Sequence, residues 1–442
     1  MAELDPNLKK IYAFHFFNTI AISVVANFLF LDRIFLRMGL NMQQFGAVKG
    51  FAYLLPMCIN LLLSPFIGQF NKDREIVAVG YLVRVFMPLL FLLLPGMISN
   101  KSTLVSAITV ILITVHIFPI IANNSIQLLV RSNVPQKVLG IHLSRIALVW
   151  TLPSFLLAIP LSWILDRHSG GSDSEFYRTM FFLMFSTALF ELIASSIIMK
   201  LPRSHLHKYS GLRFGDIMLP FRNMDFRNLL LAVGSFSILT SMIAAFINPY
   251  LLEIQGISMT VISIISAAVA LLSILALPYW GKLVDHVGGK NIYTIAMLGI
   301  TVGVLALLGK GLFFILIYAL FAWQGSRGIF GSGIYSIHQF MVFSQSKEDK
   351  RPIFFAASTF VLGVGWFLGA FLGGFFLEWL RNIQKFSNPM SAYRIYFGLC
   401  GIGSLFMIRF SKKLKEDNPK MSAREMRIAM NRTFRNLFGR TR

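Results

Sequence analysis

The sequence predicts an all-α membrane protein of twelve transmembrane helices in two blocks of six. Three observations carry that expectation. The 442 residues are 56% hydrophobic and only 14% charged, where soluble chains carry roughly a quarter. The net charge is nonetheless +22, gathered into short stretches between apolar runs. Those runs have the length of a bilayer crossing, about 20 residues for about 30 Å of hydrocarbon. They fall near 11–35, 43–67, 76–97, 103–130, 138–165, 176–200, 227–252, 257–280, 291–309, 312–344, 352–380 and 392–410. The first lacks a small-residue cleavage site and reads as a spanning helix, not a removed signal peptide.

The longest polar connection, 201–226, contains "LPRSHLHKYSGLRFGD" and separates spans 6 and 7. It divides the chain into an N-terminal bundle (1–200), a central loop (201–226), a C-terminal bundle (227–412) and a basic tail (413–442). With the N-terminus in the cytoplasm, most of the 41 Lys and Arg residues fall in cytoplasmic segments. The positive-inside rule therefore puts both termini and the central loop inside. The expected location is a bacterial inner membrane or a plasma membrane.

In chain order, the spans differ in what they carry. Span 1 places His15, Thr19, Ser23 and Asn27 four residues apart, with Asn18 beside them, so one face is polar. Span 2 holds Lys49 in its outer third and ends in "GQFNKDRE", residues 68–75, with Gly68, Asp73 and Arg74. Span 3 is bare apart from Arg84. Span 4 clusters His116, Asn123, Asn124 and Gln127 toward one side. Span 5 has Arg145 in its cytoplasmic third, with Pro153 and Pro160 beyond. Span 6 has Glu191, the one carboxylate well inside a span; Asp32, Glu253 and Glu378 lie near outer ends. Span 7 offers Ser237, Ser241 and Asn248. Span 8 ends in "GKLVDHVGGK", residues 281–290, with Gly281, Asp285, Gly288 and Lys290. Span 10 carries Gln324, Arg327 and His338 among four glycines, and span 11 carries Gly365, Gly369 and Gly373, with Gly363 and Gly374 nearby. Spans 9 and 12 are bare. A small-residue stripe lets helices approach closely; here it is either a moving seam between the blocks or a static packing surface.

Polar side chains in hydrocarbon face a cavity or one another. Intramembrane cations outnumber anions, and a guanidinium in a low dielectric calls for an anion. That points to a solute bearing a carboxylate, phosphate or similar group, held by Arg327 and Arg145. The competing reading is that each arginine meets a carbonyl or a carboxylate such as Glu191, or snorkels to the interface. Proton coupling needs a titrating group, for which Glu191, His116 and His338 are the candidates.

The two charged reversals each follow the second span of a six-span block, the half-chain repetition of transporters built from repeats. At these residues the chain resembles the major facilitator superfamily. Gly281, Asp285, His286, Gly288 and Lys290 fit that family's loop pattern. The first-half copy departs from it: Lys72 stands where the carboxylate is expected, with Asp73 one place later, and no glycine follows. The six-plus-six plan and basic central loop extend the resemblance over nearly the whole chain. It implies secondary transport by alternating access. It also implies that spans 1, 4, 7 and 10 line a central cavity, with His15, Asn18, Asn27, His116, Asn123, Asn124, Gln127, Arg145, Asn248, Gln324 and Arg327 as candidate lining residues. Asp285 is implied to meet span 5, and Asp73 span 11, as breakable latches at helix N-termini; a plain turn with a solvated charge is the alternative. Span 5 lacks the Gly-Pro pair of the drug-exporting antiporters of this family, and the sugar-porter signatures are missing.

Other chemistry is thin. No G-x-x-x-x-G-K-[ST] occurs, so nucleotide-driven pumping by this chain is not expected. Cys58 and Cys400 lie in separate apolar runs and suggest neither metal nor disulfide. No cofactor, metal or nucleic acid is expected, and the partners are a small solute and the bilayer around a monomer. In the tail, Ser422 and Glu425 form a capping-box pattern. Met426, Met430, Phe434, Leu437 and Phe438 then recur among arginines. They read as a basic amphipathic helix on anionic lipid, or as a solvated tail. Two other functions compete: a sensor or scaffold of the same fold that moves nothing, and a membrane acyltransferase using His168 and Asp173 at H-x-x-x-x-D spacing.

Overall fold

The computed structural model describes residues 6–24, 28–66, 72–133, 139–168, 171–203, 214–287, 289–322, 329–346, 350–383 and 389–414. Its elements are helical throughout. Span 1 comprises α1 (Pro6–Ile22) and α2 (Phe28–Arg37); span 2 is α3 (Met42–Leu63). Span 3 is α4 (Asp73–Phe86), tightening into a 3₁₀ turn at Met87–Leu92, followed by the one-turn α5 (Leu94–Met97). Spans 4 to 6 are α6 (Lys101–Asn133), α7 (Leu139–His168) and α8 (Asp173–Ile198). After the central connection, with its short α9 (Leu219–Arg222), come α10 (Met224–Pro249), α11 (Met259–Val287) and α12 (Gly289–Ala306). Span 10 comprises α13 (Leu312–Ala322) and α14 (Ile329–Gln345), and α15 (Arg351–Asn382) and α16 (Pro389–Ser411) complete the set.

Among the described residues nine of these segments are long and apolar enough to cross a membrane. With α1–α2, α7 and α13–α14 they make the twelve expected spans. Large apolar side chains such as Val110, Leu156, Phe182, Leu275 and Phe313 are exposed on the outside. Water would penalise such a surface, whereas acyl chains cover it at no cost.

Local sequence sets the helix starts. Asn41 caps α3: its Oδ1 accepts from Gln44 N at 2.8 Å, and Gln44 Oε1 accepts from Asn41 N at 3.2 Å. Ser172 and Asn223 cap α8 and α10, their side chains accepting from Glu175 N and Phe226 N. One expectation is corrected. Span 1 reads as a single helix in sequence, but α1 stops at Ile22 and α2 begins at Phe28. Ser23 turns its hydroxyl back onto Ile20 O at 2.7 Å, and β-branched Val24 follows, both of which weaken a helix. A second difference concerns "GKLVDHVGGK": residues 281–287 continue α11 as helix and α12 begins at Gly289, with Gly288 outside the described residues.

An even number of crossings puts both chain ends on one face, here called the terminal face; the opposite face is the distal face. Two seams join the halves. In the first, α3 packs along α15; in the second, α7 packs on α11. These are spans 2 with 11 and 5 with 8, so exchanging the halves maps one seam onto the other.

Candidate functional site

The α3–α15 seam is close because both sides are small. A Cβ on Gly46 would land on the backbone oxygen of Ala370, and one on Gly50 would meet Phe367. Gly374 lies against Met42 and Gly46, and Gly363 against Tyr53 and Met57. Asn60 Nδ2 donates to Thr359 Oγ1 at 3.1 Å toward the terminal face, and Met42 N donates to Glu378 Oε2 at 3.1 Å at the distal face. The glycine stripe noted in sequence divides its work. Gly363 and Gly374 face the other half. Gly365 and Gly369 face α10, beneath Ser237 and Ser241, while Gly373 meets Tyr396 of α16 and Phe246 of α10. The four-residue stripe is thus a packing surface inside the C-terminal half.

Toward the distal face the halves share a buried charge cluster. Lys49 Nζ lies 2.7 Å from Asp32 Oδ1 and 3.0 Å from Ala245 O. Asn248 Nδ2 donates to Asp32 Oδ2 at 2.8 Å. All three side chains are buried. Burying two charges costs several kcal/mol per ion unless they are paired and hydrogen-bonded, and this set supplies both. Near it, Asp166 of α7 accepts from Met259 N (3.0 Å), Thr260 N (2.8 Å) and Thr260 Oγ1 (2.6 Å), capping α11 of the other half. Ser162 and Ser263 hydroxyls meet at 2.6 Å one turn deeper. The distal ends of both seams are therefore fastened by polar contacts.

A second polar cluster lies at mid-membrane in the N-terminal half. Asn18 Nδ2 donates to Glu191 Oε2 at 2.7 Å, joining α1 to α8, and Ser195 donates to Glu191 Oε1 at 3.4 Å. Arg84 of α4 lies within electrostatic reach of Glu191, Tyr81 and Tyr53. No described residue accepts a hydrogen bond from it. Tyr81 donates to Asn123 of α6. His116 bonds Leu112 O at 2.8 Å, and its ring lies 5.5 Å from Tyr53, itself 4.7 Å from Trp366 across the α3–α15 seam.

The sequence candidates are distributed as follows. Asn18, His116 and Asn123 join the mid-membrane cluster with Glu191. His15 lies one turn from Asn18, its Nε2 buried without a hydrogen-bond partner. Asn248 belongs to the distal cluster. His338 bonds Ser358 of α15 inside the C-terminal half. Arg74 caps the end of α8 through Met199 O (3.0 Å) and Leu201 O (2.8 Å), tying spans 3 and 6 of its own half. Asp73 is buried at the start of α4, Gly281 lies within α11, and Lys290 within the first turn of α12. Asn27, Gly68, Gly288, Gln324 and Arg327 lie outside the described residues, as do the side chains of Asn124, Gln127, Arg145 and Asp285, and the tail helix from Ser422.

The excess of intramembrane cations shrinks on this geometry, because Lys49 is neutralised by Asp32. Two features escaped the sequence reading. Asp32 and Lys49 stand at similar distances either side of the turn at 38–41, so an antiparallel hairpin brings them to one depth; that spacing was the available signal. Arg84 stands alone in an otherwise bare span and drew no role from the sequence, yet Tyr53 of α3 and Glu191 of α8 lie within its electrostatic reach.

Residues 229–440 match the family model described as Major Facilitator Superfamily. The chain also superimposes on a variant of nucleoside transporter NupG over 92% of its length and 100% of that chain, at 13% identity and a TM-score of 0.65. A bacterial homolog of the human lysosomal transporter Spinster, inward-facing and unoccupied, aligns over 92% of this chain and 96% of that one, at 14% identity and a TM-score of 0.65. A D-xylose-proton symporter aligns over 92% and 98%, at 14% identity and 0.63. The chain shares the fold of these transporters, and its residues 229–440 carry the Major Facilitator Superfamily signature. No curated protein matches the sequence. The nine long apolar helices among the described residues fit a multi-pass membrane protein, and the family match over residues 229–440 together with the shared fold supports transport of a small solute across a membrane rather than catalysis.

Proposed function

We propose that this protein is a secondary transporter working by alternating access, carrying a small anionic or zwitterionic solute between its two halves. The observation that supports the cycle is the polar fastening of both seams at their distal ends. Asp32, Lys49 and Asn248 close one, and Asp166 with the Ser162–Ser263 pair closes the other. With the termini in the cytoplasm, the distal face is external and this conformation is closed to the outside. Energy comes from a solute or proton gradient. Gln324, Arg327, Arg145, Asn27, Asn124 and Gln127 complete the proposed cavity, and the Asp285 and Asp73 reversals its cytoplasmic latches.

The test uses the Ser162–Ser263 contact. A Ser162→Cys, Ser263→Cys variant, with Cys58 and Cys400 changed to Ala, is reconstituted in proteoliposomes and oxidised. Cross-linked protein is expected to lose net solute flux and to regain it on reduction. Full flux through cross-linked protein, in which the distal face cannot open, would refute alternating access.

A further inference from the structure

We propose that Arg84 binds the oxyanion of the transported solute, and that Glu191 takes up a proton as that solute binds. The inference rests on the transport reading above and adds the site and the coupling group.

Arg84 sits well inside α4, eleven residues from the start of a span of Asp73–Leu92. Its neighbours come from every side of the bundle. Tyr81 is on its own helix, Tyr53 comes from α3, His116 from α6 and Glu191 from α8. It is half-buried among them. A guanidinium has five donors in a fixed fork, and none of them is taken by a described residue. In a low dielectric that deficit is large. The nearest carboxylate does not repair it: Glu191 lies within electrostatic reach of Arg84 but is turned to Asn18 and Ser195, which donate to its two oxygens. The fork therefore remains available to a carboxylate or phosphate, which it can take bidentately. The Tyr53–Trp366 pair bridges the two halves beside it and gives the body of the solute an aromatic wall touching both.

Charge bookkeeping then assigns Glu191 its part. With the site empty, Arg84 and ionised Glu191 sum to zero. A bound oxyanion adds a second negative charge inside the membrane, where it is costly. One proton, drawn from water and added to the Glu191 carboxylate, restores neutrality and leaves Asn18 and Ser195 as its hydrogen-bond partners. No other bond forms or breaks. Anion affinity and proton affinity are then linked, each raising the other by the same factor. The other titratable neighbours are His116 and Tyr53 facing Arg84, Tyr81 facing both, and His15 one turn from Asn18.

The experiment measures thermal stability of purified full-length protein with sodium acetate, succinate, phosphate and glycerol 3-phosphate against sodium chloride at equal ionic strength. At least one oxyanion is expected to raise the midpoint of the wild type, as ligand binding to the native state requires. Arg84→Lys should keep part of the shift and Arg84→Gln should lose it, while circular dichroism and gel filtration report an intact fold. For the oxyanion that binds, Kd of the wild type should weaken by about tenfold per pH unit above the Glu191 titration. In Glu191→Gln it should vary less than about twofold over the same range, and His116→Gln and His15→Gln should retain the wild-type slope. The proposal is overturned if no oxyanion stabilises the wild type, if stabilisation survives in Arg84→Gln, or if Glu191→Gln keeps the slope. Solute uptake into proteoliposomes that is unaffected by Arg84→Gln would sink this site while leaving transport standing. Absence of any uptake by the wild type would sink the transport reading itself.

Discussion

Asn248→Ala tests how the distal face is held shut. Asp32 and Lys49 both belong to the N-terminal half, so their ion pair persists whether the halves are closed or apart. What crosses between the halves is the Asn248–Asp32 hydrogen bond at 2.8 Å and the Lys49–Ala245 bond at 3.0 Å. A hydrogen bond to a charged group contributes about 1.5–3 kcal/mol. Removing Asn248 should therefore weaken the closed state by roughly that amount, and at about 1.4 kcal/mol per tenfold raise the open population about 10- to 100-fold. Asn248 Oδ1 has no partner, so its loss adds nothing. The assay places a cysteine at Ser263, buried in the closed seam, with Cys58 and Cys400 replaced, and follows labelling by an impermeant maleimide. Lys49→Met is the contrast. It strands a buried carboxylate in both states and should cost about 3–5 kcal/mol of overall stability, recovered largely by adding Asp32→Asn. Wild-type labelling rates in Asn248→Ala would refute the assignment of these bonds to the closed state.

Other outcomes follow from the seams. Asp166→Ala removes the cap of α11 and should lower stability by about 0.5–2 kcal/mol, measured by thermal unfolding, while speeding Ser263→Cys labelling. Gly46→Val forces a branched side chain onto the Ala370 backbone and should cost about 1–3 kcal/mol or more; Gly96→Ala, where no atom lies within 4 Å of the added carbon, should be neutral. The Arg203–Glu75 pair, 2.8 Å apart and partly exposed, should show a coupling of no more than about 1 kcal/mol in a double-mutant cycle, and less in high salt.

How far the sequence reaches is plain from particular residues. Span length and number were legible because hydrocarbon thickness imposes them directly. The matched position of the two reversals was legible because repetition leaves a spacing. Pairing was not. Helical periodicity put His15, Asn18 and Thr19 on one face of span 1, but nothing in a face says that Asn18 meets Glu191 of span 6. Helix depth and neighbour, which decide that contact, come from packing of the whole half. The same holds for Ser237 and Ser241 of span 7, which donate to Leu362 O and Gly365 O of span 11. Asp166 stands just past the end of span 5 with no sequence mark of a role, and only the approach of α11 turns it into a cap. The charge-excess argument failed for Lys49 because counting charges ignores the hairpin that brings Asp32 to its depth.

The two kinds of helix contact differ in a way that fits the proposed cycle. Inside the C-terminal half, hydroxyls reach backbone oxygens: Tyr293 to Ala232 at 2.9 Å, Tyr396 to Met242 at 2.8 Å, Ser237 to Leu362 at 2.7 Å. Such bonds fix helices at one depth and rotation, since the acceptor cannot follow a sliding partner. A half built this way moves as a unit. Between α7 and α11 the described hydrogen bonds gather at the distal end, around Asp166 and Ser162, so that seam can hinge apart from one end. The α3–α15 seam is different again. It is tight from Met42 to Asn60: its glycines bring the backbones together, and aromatic pairs such as Phe51–Phe367 and Tyr53–Trp366 pack across it. Small residues let the two backbones stay in close approach along that whole length. In the proposed cycle the pivot therefore lies along α3 and α15. The Tyr53–Trp366 pair on that axis stays in place while the ends swing, which keeps the aromatic wall beside Arg84 in both orientations.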